Sequence, residues 1–167
     1  YGYVDNGLFL INTHNGIKNK LPRIDINDYP AVKTHLDQYW DRISTRADKG
    51  DTPYNLRNCA YLEDFSKPKI SWKIIGSRLA FAIDNNGIML NNAWYLLTGN
   101  HLAHILGFLN SSPLIWYSEI TNMNKTGVDD AQVGAQNIIL FPIPSTINEE
   151  VVEIVEQLLS TPANSNL

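Results

Sequence analysis

His101 and His104 stand three residues apart in a leucine-rich stretch. That spacing places two imidazoles on one helix face, where the chemistry they would serve is metal ligation. A zinc site needs at least a third protein ligand, and no other histidine or cysteine lies near in sequence, so packing and surface exposure account for the pair. Glu63-Asp64, followed by Lys67 and Lys69, has the residue types of a metal-dependent nuclease. No acidic residue from a preceding strand stands at a suitable spacing to complete it. A glycine-rich strand-to-helix turn, a G-x-S-x-G nucleophile elbow and an H-E-x-x-H motif are all missing from the sequence, so no catalytic constellation is legible. What remains is cationic. Lys69 and Lys73 alternate with Ile70, Trp72 and Ile74, and Arg57, Lys67 and Arg78 flank them in sequence, a pattern suited to a groove wall that contacts phosphate.

Those side chains need elements to hold them. Gly7 to Thr13 is apolar and β-prone and runs into the turn-forming His14-Asn15-Gly16, which predicts a strand. Asp28 and Pro30 mark a helix start, and Val32, Leu36, Tyr39 or Trp40, Ile43 and Ala47 recur at helical spacing up to Gly50. Lys69 to Ile75 alternates as a strand with one apolar and one cationic face. Leu79, Phe81 and Ile83 alternate again, Asp84-Asn85-Asn86-Gly87 supplies a hairpin turn, and Ile88 to Leu90 and Ala93 to Leu97 continue the sheet. After Thr98-Gly99 the period becomes helical, with Pro113 restarting a second helix. Thr121 to Gln132 is a polar loop long enough to act as a reader. Asn137 to Phe141 is expected as a short strand, and Thr146 with Glu149 has capping-box spacing for a last helix through Ile147, Val151, Ile154 or Val155, and Leu158. The order predicts an α/β (α+β) fold: a twisted, mainly antiparallel sheet with flanking helices.

The 167 residues are 44% apolar, enough for one substantial core, so residues 1–160 are expected to form a single domain with a polar tail at 161–167. Tyr1 in place of a start methionine suggests a piece of a longer polypeptide. No run of about 18 apolar residues and no signal-peptide order occur, so a cytoplasmic protein without membrane contact is expected. Cys59 is the only cysteine, which rules out an internal disulfide and suits a small buried apolar residue.

The formal net charge of -4 is unlike that of a free-standing nucleic-acid binder, but its distribution is uneven. Residues 33 to 78 hold nine basic and six acidic side chains, whereas residues 79 to 167 hold one basic residue, Lys125, and eight acidic ones. Phosphate neutralisation needs only a local cationic surface. The plainer reading of these lysines and arginines is solvated surface.

Several blocks, taken in order, resemble one family. They are GLFLINTHNG at 7–16, YPAVKTHLDQYWDRISTRADKG at 29–50, TPYNLRNCAYLEDFSKPKISW at 52–72, LNNAWYLLTG at 90–99, HLAHILGFLNSSPLIWY at 101–117 and IILFPIP at 138–144. Together they are similar to the TaqI-like C-terminal specificity domain of adenine-specific DNA methyltransferases and of bacterial type IIG restriction-modification enzymes. The most specific elements are Tyr54-Asn55-Leu56-Arg57 with Lys67-Pro68-Lys69-Ile70, and Leu109-Asn110-Ser111-Ser112-Pro113-Leu114. The resemblance implies a twisted α/β target-recognition domain, similar to those of type I specificity subunits, that clamps double-stranded DNA opposite a catalytic methyltransferase domain of the same polypeptide. It implies no cofactor in this chain. In the parent it implies S-adenosylmethionine and methylation of a flipped adenine, and it leaves open a fused endonuclease with its magnesium. The Pro-Pro of an amino-methyltransferase's base-gripping motif does not occur here, so catalysis is expected elsewhere in the parent.

In such a domain Lys67, Lys69, Lys73 and Arg78 are expected at phosphates. Arg57 has the fork for guanine, and Asn55, Asn91, Asn92 and Asn124 are of the type that pairs with adenine edges, Asn124 beside Lys125 in the reader loop. Each asparagine also suits a turn. Trp72 and Trp94 are expected in the core. Two other classes compete: a protein-interaction or scaffold domain without DNA contact, docking a basic partner on its acidic half, and a hydrolase, which lacks a constellation.

Overall fold

Pro30 opens the first helix, α1 (Pro30–Asp37), where a fixed φ and a missing N–H suit the first turn. The computed structural model describes residues 7–76, 78–121, 125–126, 130–132 and 134–161, with the backbone alone at 125–126 and 130–132. The chain divides into two compact units, one ending at Glu63 and one beginning at Asp64.

In the first unit the expected single helix to Gly50 is two: α1 stops at Asp37, and α2 (Trp40–Thr45) follows a turn in which the Tyr39 amide bonds Leu36 O at 2.9 Å. Neither helix fully buries a residue, so packing does little to hold one continuous rod. Gly7 to Thr13 forms no strand; residues 7–12 are exposed and irregular, because no neighbouring strand among the described residues satisfies their backbone. Ile26 is the only buried hydrophobic side chain described in this unit. Hydrogen bonds take over its centre. Asn55 is 1% exposed; its Nδ2 donates to the carbonyls of Thr13, His14 and Ile24 at 3.0–3.4 Å, and its Oδ1 accepts from Thr52 Oγ1 at 2.6 Å. Thr13 Oγ1 donates to Tyr54 O, and Arg46 donates to the carbonyls of Pro53 and Asn55. Ile17 and Leu21 bridge antiparallel beside Gly16, whose φ of +76° and distance of 2.4 Å from a would-be Cβ to Leu21 O exclude any side chain there.

The second unit is built on β1 (Lys69–Lys73), the central strand of an antiparallel sheet. On one side lies β3 (Ala82–Asp84), in register Lys69↔Asp84, and on the other β4 (Trp94–Thr98), in register Lys73↔Trp94. Ile88 to Leu90 form no strand. β2 (Ile75–Gly76) leaves that sheet and pairs with β6 (Asp130–Gln132), which pairs with β5 (Lys125–Thr126), giving a second sheet in the order β2-β6-β5. The helical hairpin is α3 (Leu102–Leu109) and α4 (Ser112–Ile120). α3 brings Leu102, Leu106 and Leu109 into a core with Ile70, Trp72 and Phe81.

The expected strand at Asn137 to Phe141 is replaced by a helical turn, α5 (Ala135–Ile138). Ile138 and Phe141 are buried while Ile139 and Leu140 are 80% and 61% exposed, which is helical spacing and not alternation. The last helix, α6 (Glu149–Ser160), is capped by Asn148, whose side chain accepts from the Val151 amide, in place of Thr146. These elements form a mixed α/β fold with a small antiparallel three-stranded sheet flanked by helices. Among the described residues no helix is long and apolar enough to cross a membrane.

Candidate nucleic-acid interface

β1 does not present a cationic face. Its central place buries both sides from Lys69 to Trp72, and the Lys69 and Asp84 side chains, brought opposite by the β1–β3 register, form a fully buried ion pair. Lys69 Nζ also donates to Phe65 O at 2.7 Å. Asp84 accepts from the amides of Asn86 and Ile88 at 2.8 and 2.7 Å, so the same carboxylate shapes the turn after β3. Burial pushes the Asp84 carboxyl up, but the hydrogen bonds from Lys69 and those two amides outweigh it and hold the group below the usual carboxylate range. Lys69 is therefore a structural cation, which corrects its expected place at phosphate.

Asn55 is corrected on the same ground, since its buried amide is occupied by backbone and by Thr52. Asn91 holds a turn by accepting from the Ala93 amide at 3.0 Å, and Asn92 is exposed beside it. Asn124 lies outside the described residues, and for Lys125 only the backbone of β5 is described. Trp72 packs on Phe81 and Tyr95 in the core. Cys59 is half-buried, not enclosed.

The remaining cations are exposed. Lys73, at the open end of β1, holds its amine 5.7 Å from the Trp94 ring centroid. Arg78 is exposed two residues beyond β2. Lys67 pairs with Asp64 at 2.5 Å. β2 lies between Lys73 and Arg78 in sequence and pairs with β6, so the segment expected as a reader loop is anchored by its β5–β6 hairpin to the stretch that carries these two cations. In the first unit, Arg57 sits 3.5 Å from Asp48 with both side chains largely exposed, a pair that solvent weakens.

The sequence reading missed the Ile17–Leu21 turn. It closes on paired backbone hydrogen bonds of 2.8 and 2.9 Å and leaves Lys18, Asn19 and Lys20 exposed, with Asn19 at φ 62°. The signal was Lys18-Asn19-Lys20 between Ile17 and Leu21, where an asparagine tolerates the left-handed region. Lys20 pairs with Glu63 and Arg23 with Asp51. Nearby, Tyr54 donates to Asp37 at 2.6 Å and Lys33 does so at 2.9 Å; these two hydrogen bonds, that of Tyr54 first, lower the Asp37 carboxyl and tie α1 to the Thr52 to Arg57 turn.

Glu63, Asp64 and His104, candidates for metal chemistry by residue type, have other partners. Glu63 pairs with Lys20 and its neighbour Asp64 with Lys67. His104 is 2% exposed. Its Nδ1 accepts from the Asn148 amide at 3.2 Å, so Nε2 carries the proton and donates to Pro144 O at 3.1 Å. Nδ1 ties α3 to the α6 N-cap and Nε2 ties it to the Pro144 segment before it, while His101 lies exposed at the α3 N-cap. Among the described residues no group of three or more His, Cys, Asp or Glu is placed to hold a metal ion.

Compared with known families, residues 18–143 match the TaqI-like C-terminal specificity domain. The match takes in the Lys18 to Lys20 turn, both short helices, the β3-β1-β4 sheet, the β5–β6 hairpin and the α3–α4 pair, which is most of the chain. The chain belongs to the TaqI-like C-terminal specificity domain family, and its role is DNA recognition in restriction-modification enzymes.

Proposed function

We infer that this chain selects the duplex sequence at which a catalytic domain of the same polypeptide methylates adenine. Both units serve one recognition domain. The observation that carries this reading is the β5–β6 hairpin paired to β2, next in sequence to the exposed Lys73 and Arg78. Phosphate contacts position a protein on the duplex, and loops read base edges. In this reading Lys73, Arg78 and Lys67 meet phosphate, and the 121–132 segment with Asn124 and Lys125 enters a groove. Arg57, Asn91 and Asn92 complete the polar contacts from other loops. S-adenosylmethionine belongs to the catalytic domain, because this sequence contains no glycine-rich strand-to-helix turn. If the parent also cleaves, magnesium belongs to its endonuclease, and the whole works in the bacterial cytoplasm.

The test is the salt dependence of duplex binding by the full-length polypeptide. Each of Lys73→Ala and Arg78→Ala should weaken binding evenly across sequences and reduce the slope of log K against log salt by about 0.9. Slopes equal to wild type in both variants would contradict the assignment.

A further inference from the structure

Apolar residues of α6 at 151, 154, 155 and 158 follow the i, i+3, i+4, i+7 spacing of a single helix face. Only part of that face is covered. Val155 is buried and Val151 half-buried against α3, whereas Ile154 and Leu158 are 49% and 52% exposed. The cause lies at Gly107. A Cβ there would stand 2.5 Å from Val151 Cγ1 and 3.0 Å from Val155 Cγ2, so α3 meets α6 with bare backbone. Beside that close approach lies an open cavity of about 220 Å³, lined by Leu106, Gly107, Asn110, Ile154, Leu158 and Leu159.

The charged side chains of α6 are all acidic. Glu150 lies one turn before Ile154 on the same stripe, and Glu153 lies further round the same edge of the helix; both are exposed. From residue 79 to 167 the only lysine or arginine is Lys125. Two-fold pairing of this face with a second copy would set these carboxylates against their like, and an anionic surface would be repelled in the same way.

We propose that the α3–α6 groove docks an amphipathic helix of a protein partner, one whose apolar stripe enters between Gly107 and Leu158 and whose lysine or arginine flank meets Glu150 and Glu153. This surface acts on protein and is separate from the DNA reading.

The probe is a helical peptide with leucines at i, i+3, i+4 and i+7 flanked by lysines, titrated calorimetrically into the full chain, beside a twin with glutamate flanks. The lysine peptide should bind, more weakly as salt rises, and the glutamate twin should not. Ile154→Ser and Leu158→Ser should each cost about tenfold in affinity with thermal midpoints lowered only modestly, because about half of each side chain already faces solvent. The Glu150→Lys/Glu153→Lys double variant should reverse the preference toward the glutamate peptide. Equal binding of the two peptides, binding of neither, or full binding by the serine variants would overturn the proposal.

Discussion

Exchanging Asp84 for asparagine removes the charge that balances Lys69 where neither side chain reaches water. The ammonium would then be left with neutral acceptors only, Phe65 O and at most the new amide oxygen. An unpaired buried charge costs far more than an exposed one, so Asp84→Asn should lose about 3 kcal/mol in urea denaturation. Lys69→Met should cost less, since Asp84 keeps the Asn86 and Ile88 amides. The pair also sets an acid limit. Asp84 titrates below its ordinary value near 3.8 in the folded chain, so the unfolded chain takes up the proton first as pH falls. The stabilisation is complete above the ordinary value and is lost as pH drops from there through the folded value. Below about pH 4 the urea midpoint of wild type should therefore fall more steeply than that of Asp84→Asn. Parallel curves would show that the carboxylate contributes no such linkage.

Among the elements, α6 depends on contacts that a single atom can disturb. Gly107→Ala puts a methyl group into the space held by Val151 and Val155, and overpacking of this kind should cost about 1 to 3 kcal/mol, read as a lower denaturation midpoint. Asn148→Ala should remove about 1 kcal/mol by freeing the Val151 amide. How far such elements could be read from sequence depended on the length and clarity of their pattern. Lys69 to Lys73, α3 and α4 all follow from alternation and helical spacing, whereas Asp84 to Gly87 turns the chain without closing the expected hairpin, since no strand follows at Ile88 to Leu90. Ile138 to Phe141 could not be read in this way, because four apolar residues in a row conceal which two face inward. The cationic face of β1 failed for another reason: alternation shows that Lys69 and Lys73 share a side, but not that β3 brings Asp84 opposite Lys69 and covers it. Asn55 failed likewise, since the carbonyls it satisfies come from residues 31 to 42 positions away.

Across the whole molecule, the nine basic side chains between residues 33 and 78 are mostly engaged. Lys69 is buried with Asp84, Lys33, Arg57 and Lys67 pair with carboxylates, and Arg46 holds backbone carbonyls. A domain whose exposed cations are in several cases paired with carboxylates, and whose net charge is -4, should add only a modest electrostatic share to DNA binding, so its selectivity is expected to come from base contacts. Each such contact discriminates by about 1 to 3 kcal/mol. The most direct measurement is selection of bound duplexes from a randomised pool by the full-length protein, wild type against a variant whose 121–132 segment is replaced by a neutral linker of equal length. The recognised sequence should relax or change at one or more base positions while the protein stays folded. The same sequence recovered at the same stringency would contradict the claim that this segment reads DNA.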